Sequence, residues 1–480
     1  MENKKILNNF VWRFMERIGA QGVTFVVSIV LARLLDPAVY GTVALVTVFT
    51  TIMQVFVDSG LGTALVQKKD ADDLDFSTVF YFNIVMCAGL YVIMFFAAPL
   101  IAAFYELPEL TSIVRVSSLT LLISGVKNIQ QSYVSKNMLF KRFFYSTIGG
   151  TVVSAAVGIG MAFAGFGVWA LIAQNLINLA AGTVILWVTV KWRPKWMFSW
   201  ERLRGLFSYG WKLLVSSLLN TVYNDIRQLI IGKMYTTDDL AFYNKGNQFP
   251  NLIVTNVNSS IDSVLMPAMA AEQDDRTRVK AMTRRAIKTS TYIMMPMMMG
   301  LAVCAEPLIK ILLTEKWLPC VFFLRIFCFT YAFYPIHTAN LNAIKAMGRS
   351  DMFLKLEIIK KGIGLVALLS TMWISVEAMA YSLLVTTVIS QIVNASPNKK
   401  LLDYSYFQQV QDMLPQIALS VAMGAVVFCI SLLPINEYLI LLIQVPLGVL
   451  IYVAGSALFK LESFEYVLSM AKSYLHKRKG

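Results

Sequence analysis

The chain has 480 residues, 57% hydrophobic and 15% charged, with a mean hydropathy of +0.63 and a net charge of +14. Ordinary soluble domains are about 45–50% apolar and about 25% charged, so this balance excludes a soluble globular domain and points to a chain embedded in lipid. The lysines and arginines come in short clusters between apolar runs rather than in one patch, which argues against a nucleic-acid partner.

The first residues, MENKKILNNFVWRFMERIG, are basic but lack a short apolar region followed by a small-residue cleavage site, so they open a first span rather than a removable signal. About fourteen candidate spans then follow along the whole chain, each with the length a hydrocarbon core of roughly 30 Å requires. They cover residues 10–34, 40–66, 78–104, 112–134, 145–164, 167–190 and 208–233 in the first half. In the second half they cover 240–267, 287–313, 318–345, 354–374, 376–394, 413–433 and 437–458. The expected fold is an all-α membrane protein.

The connections alternate in charge. One set carries Lys68 and Lys69, KNMLFKR (136–142), KWRPKWMFSWERLR (191–204), RTRVKAMTRR (276–285), Lys345 to Lys355, Lys399 with Lys400, and the tail HKRKG (476–480). The other set, LLDPAVYG, YELPEL, GFG, YTTDDL, TEKWL, ISVE and PINEY, is short and poor in both basic residues. By the positive-inside rule the basic set is cytoplasmic and both termini lie inside. Trp192, Trp196 and Trp200 read as an interfacial belt.

No sequence fits the phosphate loop G-x-x-x-x-G-K-[ST], and in DSGLGTALVQKKD (58–70) Leu65 stands where a dinucleotide fingerprint needs its third glycine. Gly60 and Gly62 read instead as small residues that let helices approach. The five cysteines, Cys87, Cys304, Cys320, Cys328 and Cys429, have no C-x-x-C spacing and read as small core residues, with no metal expected.

Laying 11–66 over 211–266 without a gap matches two pairs of spans and sets VDSGLGTALV on VNSSIDSVLM. Polar residues then fall on single helix faces. In the first span these are Arg13, Arg17, Gln21, Thr24 and Ser28, and in the seventh Ser217, Thr221, Asn224 and Gln228. The second span carries Thr47, Thr51 and Asp58, the eighth Asn247, Asn251, Thr255, Asn258 and Asp262. Span 4 adds Ser124, Lys127, Asn128, Gln131 and Ser135, and span 10 adds Tyr334, His337 and Asn340. Such stripes are costly in lipid unless they face a partner or water, which implies a polar interior shared by two parallel repeats.

The stretches LARLLDPAVYGTVA (31–44), DSGLGTALVQKKD, MPAMAAEQDD (266–275), PMMMGLAVCAEPLIKILLTEKW (296–317) and NAIKAMGRSDMFLKLEIIKKGIG (342–364) resemble, in order and over nearly the whole chain, bacterial polysaccharide transporters of the Wzx type. That superfamily also holds multidrug and toxin extruders and lipid II flippases. The resemblance implies a flippase, not an enzyme, that carries an undecaprenyl-pyrophosphate-linked oligosaccharide across the bacterial cytoplasmic membrane by alternating access. It implies two six-helix bundles around a cationic cavity, here 1–207 and 208–400, with two further helices and a basic tail in 401–480. Membrane lipids and a polysaccharide polymerase or export machinery are the implied partners.

For such a substrate Arg13, Arg17 and Lys127 are candidate phosphate ligands, since arginine's forked donors suit phosphate oxygens. The alternatives are that the two arginines sit at the cytoplasmic surface beside Glu16, and that Lys127 snorkels to the interface. Gln21, Asn128, Gln131, Asn224, Asn251 and His337 complete the substrate-binding set, His337 being equally readable as a hydrogen-bonded core histidine. Asp58, Asp225 and Asp262 are candidates for coupling to H+ or Na+, or else for helix-packing hydrogen bonds. An ion-coupled drug antiporter on the same scaffold is the rival transporter, and a glycan polymerase or ligase the rival enzyme; the short outer loops weigh against the latter.

Overall fold

In the computed structural model the backbone is described for residues 2–58 and 60–477, with side chains there except at 2–11, 13, 14, 16–18, 209, 470, 471 and 473–477. Every described element is a helix, and the chain divides into two compact units, Met1–Ala241 and Phe242–Gly480.

The first unit opens with α1 (Glu2–Leu34), α2 (Pro37–Asp58) and the short α3 (Leu61–Gln67). There follow α4 (Asp73–Tyr105), α5 (Leu110–Ser117), α6 (Leu119–Lys136), α7 (Phe140–Phe163), α8 (Val168–Thr189) and α9 (Trp200–Met234). Helices α7 and α8 form a close hairpin, with α1 along α7. The closeness depends on small residues, as is usual in lipid: a Cβ on Gly150 would stand 2.7 Å from the Asn178 carbonyl oxygen. Leu61, Leu65, Val79, Ile129 and Leu186 form the buried core that joins α3, α4, α6 and α8.

The start of α4 shows how the basic connections are fastened. Asp72 and Asp75 make a capping box: the Asp75 N–H donates to Asp72 at 2.9 Å and the Asp72 N–H donates to Asp75 at 3.2 Å. The Asp75 carboxylate is fully buried and accepts from Lys68 Nζ at 2.6 Å and from Arg202 Nη1 at 3.5 Å. Lys68 is therefore half of an ion pair as well as a mark of the membrane face. Trp192 departs from the expected belt: it is buried, stacks on Tyr133 at 5.7 Å and donates Nε1 to Asp73 at 3.0 Å. Trp196 and Trp200 stay exposed. Four cysteines are buried as expected, whereas Cys429 is exposed.

Replacing Asp72 with alanine should cost about 1 kcal/mol, the usual value of an N-cap. The Asp75 backbone N–H, then Arg202 and Lys68, hold the Asp72 carboxyl below its ordinary value. Its contribution is present above the unfolded pKa of about 3.9 and lost as pH falls through the lower folded value. Unfolding in detergent at descending pH should show the gap between wild type and variant closing only below that point; a gap already closed near neutrality would refute the cap.

Gly60 (φ +70°) stands between α2 and α3, so the second expected span, 40–66, is one span built from two consecutive helices. The left-handed backbone favours glycine there, and a Cβ would stand 2.9 Å from the Gly210 carbonyl oxygen of α9. At Gly62 a Cβ would stand 2.7 Å from Ser132 Oγ of α6. Both glycines thus serve close approach. The expected span 112–134 is likewise divided, into α5 and α6 at Ser118.

The second unit comprises nearly all of α10 (Thr237–Ala271), then α11 (Arg276–Val303), α12 (Ala305–Leu312), α13 (Cys320–Ala332), α14 (Tyr334–Ala346), α15 (Ser350–Thr371) and α16 (Val376–Leu402). It closes with α17 (Tyr406–Ser431), α18 (Glu437–Leu458) and α19 (Glu462–Lys477). The helix bounds carry the repeat read from the sequence. Helices α1 and α9 end at Leu34 and Met234, and α2 and α10 start at Pro37 and Thr237. Further on, α6 and α14 end at Lys136 and Ala346, while α7 and α15 start at Phe140 and Ser350. The copies differ at one informative point: Ser260 stands where the first copy has Gly60, and α10 runs on unbroken where α2 stops.

The repeat extends to a backbone device. Pro99 has no N–H to give the Phe95 carbonyl, and Arg115 Nε donates to it at 3.2 Å. In the second unit the chain bends by 65° between α11 and α12, and Arg325, 210 residues after Arg115, donates Nε to the Ala302 carbonyl at 3.2 Å. Each arginine satisfies an acceptor that an interrupted helix has released.

A second polar device lies wholly inside the unit. Asn340 of α14, Asn398 of α16 and Gln409 of α17 are fully buried. Asn340 Oδ1 accepts from Asn398 Nδ2 at 2.6 Å and from Gln409 Nε2 at 3.0 Å, while Asn340 Nδ2 donates to Gln409 Oε1 at 2.8 Å. On the same helix as Gln409, Asp412 accepts from Arg284 of α11 at 2.6 Å.

Among the described residues nine helical spans, three of them built from two consecutive helices (α2 with α3, α5 with α6, α13 with α14), are long and apolar enough to cross a membrane, or ten if the bent pair α11 and α12 is one span. The protein is a multi-pass membrane protein, though this criterion does not reach the expected fourteen. The long helices it omits, α1, α9, α10 and α15, have a physical reason to fall short. Helices α9 and α10 bear polar stripes, α15 carries Lys360 and Lys361, and of α1 only Gly19–Leu34 is counted.

Candidate functional site

Asp58 is the last residue of α2, where the break at Gly60 leaves the final carbonyls of the helix without their usual partners. Asn128 of α6 answers one of them, donating Nδ2 to the Val57 carbonyl at 3.1 Å. The same amide lies 3.5 Å from Asp58 Oδ1, and Gln54, one turn back on α2, donates to that oxygen at 3.4 Å. On α6, Ser124, Lys127, Asn128 and Gln131 recur at three- and four-residue spacing and share one face. Helix α8 presents Asn175 and Asn178, three apart, and then Gly182. Lys127 Nζ lies 3.3 Å from where a Cβ on Gly182 would stand, so a larger residue there would crowd the ammonium.

Gln54, Asp58, Asn175, Asn178 and the polar face of α6 line an open cavity of about 420 Å³ inside the first unit, within the range of about 300–1,000 Å³ typical of small-molecule sites. Of the sequence candidates it brings together Asp58, Lys127, Asn128 and Gln131. Gln54, Asn175 and Asn178 were missed, although Gln54 stands one helical turn before Asp58 and the two asparagines interrupt an apolar run at an i, i+3 spacing.

The remaining candidates lie elsewhere. Arg13 and Arg17 fall outside the residues whose side chains are described. Gln21 is half-buried on α1, and Asn224 is exposed on α9. Asp225 accepts a 3.0 Å hydrogen bond from Gln228 of its own helix. In the second unit Asn251 is exposed and accepts from Thr255 at 3.3 Å. Asp262 accepts from Asn342 of α14 at 2.7 Å, and His337 Nδ1 lies 2.8 Å from Asn394 Nδ2, which fits an amide donating to a neutral imidazole. No group of three or more histidine, cysteine, aspartate or glutamate residues that could hold a metal ion occurs among the described residues.

The two units use equivalent positions differently. Asn128 faces Asp58, and in the second unit Thr338, 210 residues on, donates to Asn258 at 2.5 Å. That second pair is one rung of a ladder between α10 and the following helices, with Tyr331 donating to Asn247 at 2.8 Å and Asn342 to Asp262. Much of the α10 stripe is therefore spent on helix packing.

Comparisons with known proteins agree with this architecture. The chain is 24% identical over 395 residues to the teichuronic acid biosynthesis protein TuaB of Bacillus subtilis (strain 168), covering 80% of each chain. It is 26% identical over 318 residues to the succinoglycan biosynthesis transport protein ExoT of Rhizobium meliloti (strain 1021), covering 65% of this chain and 64% of that one. Among solved structures it has the fold of a lipid II flippase, MurJ, in an inward closed conformation, with a TM-score of 0.75 at 15% identity over 94% of this chain and 98% of that one. These likenesses bear out the resemblance to polysaccharide transporters read from the motifs. A family model described as "Polysaccharide biosynthesis protein" matches residues 30–322, and the chain belongs to that family.

Proposed function

We propose that the protein is a flippase which moves a lipid-linked oligosaccharide across the bacterial cytoplasmic membrane by alternating access, for surface polysaccharide synthesis. The observation that carries the proposal is a polar cavity, with one ammonium and one carboxylate, inside a helical unit of a polysaccharide biosynthesis protein. The relative from Rhizobium meliloti is named as a transport protein, which favours movement of a substrate over its chemical conversion. The basic connections support cytoplasmic termini, and a polysaccharide polymerase or export assembly is the partner that would take up the product.

Asp58 is the acid we assign to coupling with H+ or Na+. It faces the cavity with two long amide contacts, whereas Asp225 and Asp262 are each held by a shorter hydrogen bond to a neighbouring amide. In proteoliposomes loaded with lipid-linked oligosaccharide extracted from the producing strain, the wild type should move substrate between leaflets faster when a proton or sodium gradient is imposed. Asp58→Asn should lose the stimulation by the gradient, whatever its basal movement, if the carboxylate is the coupling group. Absence of movement in the wild type would sink the flippase proposal, and full stimulation in the variant would remove Asp58 from coupling alone.

A further inference from the structure

Three carboxamides in the cavity are not engaged by the described residues of the protein itself. Gln131, Asn175 and Asn178 line it, and none has a hydrogen-bond partner among the described residues. Many other intramembrane polar side chains are occupied, although the buried Asn83 of α4 also lacks a partner among the described residues. Thr47, Thr151 and Thr183 donate to carbonyls of their own helices at 2.7–2.8 Å, and Asn247 and Asn258 of α10 are engaged by α13 and α14. A polar group in this setting costs free energy unless it meets a partner or water. The three amides therefore keep their donors and acceptors for whatever fills the cavity.

The second unit supplies an internal control. At the shift that aligns α6 with α14, Gln131 falls on Leu341; at the shift that aligns the starts of α8 and α16, Asn175 falls on Leu383 and Asn178 on Thr386. Thr386 donates to the Ser382 carbonyl of its own helix at 2.8 Å. The same fold is thus built without free amides at these positions, so they are not a requirement of helix packing.

The chemistry of the lining decides between the two polar parts of a lipid-linked oligosaccharide. A pyrophosphate only accepts hydrogen bonds and carries several negative charges, so it needs clustered cations. This cavity offers one lysine and places the Asp58 carboxylate in the same wall. A sugar ring presents hydroxyls that both donate and accept, matching carboxamides, which do both, together with the hydroxyl of Ser124.

Building on the flippase proposal, we propose that the cavity bounded by α2, α6 and α8 is a glycan subsite that takes a polyhydroxylated sugar ring of the substrate and not its pyrophosphate. Gln131, Asn175 and Asn178 read the hydroxyls, and Lys127 faces any acidic substituent on the ring. Specificity for the sugar unit resides in the first unit, where the amides are, and not in its repeat.

Two probes separate the parts: the glycan freed from the producing strain's lipid-linked precursor by mild acid, which has lost lipid and pyrophosphate, and geranyl pyrophosphate, which has no sugar. Binding of each to the full-length protein in detergent would be measured by calorimetry for wild type, for Gln131→Leu/Asn175→Leu, which installs the residues of the second unit, and for the near-isosteric Gln131→Glu. The freed glycan should bind the wild type, and its affinity should fall about tenfold or more in the double variant, as loss of one to two hydrogen bonds predicts. Geranyl pyrophosphate binding should stay within about twofold in both variants, and Gln131→Glu should weaken the glycan alone. No glycan binding to wild type, equal glycan binding to the double variant, or loss of geranyl pyrophosphate in its place would each overturn the subsite. Leaflet movement in the proteoliposome assay is read separately, so the flippase proposal stands or falls independently of this result.

Discussion

Replacing Asp75 with alanine should destabilise the protein by about 3 kcal/mol, the low end of the 3–5 kcal/mol seen when one partner of a buried ion pair is removed. The carboxylate is fully buried, whereas the Lys68 side chain is 30% exposed, so the stranded ammonium can partly regain water and the upper end is not reached. The deletion also takes the acceptor from the Asp72 N–H and the anion from Arg202. Three connections lose their common anchor: the end of α3, the start of α4 and the start of α9. Denaturant unfolding in detergent should show the loss for Asp75→Ala. A second change, Lys68→Met, should recover much of it, since apolar replacement of a whole buried pair is often neutral. A single variant within about 1 kcal/mol of wild type would show that the pair fastens nothing.

Gly41→Ala should be at least as damaging, although it adds one methyl group. A Cβ there would stand 1.8 Å from the Thr237 carbonyl oxygen and 2.5 Å from its carbon, both backbone atoms that cannot rotate away. Overpacking ordinarily costs about 1–3 kcal/mol, and a clash against main chain belongs at or above the top of that range. Gly232 is the natural control. Its Cβ would meet Leu45 Cδ2 at 2.2 Å, a nearer approach than most but to the movable end of a side chain. Gly232→Ala should therefore lose clearly less stability than Gly41→Ala in the same unfolding assay. Equal losses would refute a main-chain contact between α2 and Thr237.

Much of the fold was legible because lipid allows few solutions. Apolar runs between basic connections located the helices, and the ungapped overlay of 11–66 on 211–266 anticipated the paired bounds at Leu34 and Met234 and at Pro37 and Thr237. The interruptions were not legible. Gly60 and Ser118 sit inside stretches that read as single spans, and only backbone geometry separates a glycine that packs from one that also ends a helix. The site was half visible. A polar stripe marks a helix face, but sequence does not say whether that face meets water, a ligand or another helix. Asp262 finds Asn342 eighty residues away, and Thr47 turns back on the Val43 carbonyl of its own helix. Asn175 and Asn178 escaped because the overlay stopped at residue 66; only with gaps that match the starts of α8 and α16, Val168 and Val376, do they fall on Leu383 and Thr386 and expose the asymmetry.

The buried amides Asn340, Asn398 and Gln409 bear on how the chain matures. Two of them, on α14 and α16, emerge from the ribosome before the third, and until α17 follows the Asn340 amide lacks the carbonyl at 2.8 Å to which it donates. A bundle ending at α16 would hold unanswered polar atoms in its interior, a state disfavoured by about 1–3 kcal/mol per group. Completion of the second unit is thus tied to the arrival of the helix that follows it. The segment from α17 onward is a late-synthesised structural keystone, and truncation before it should leave a partly assembled unit exposed to quality-control proteolysis.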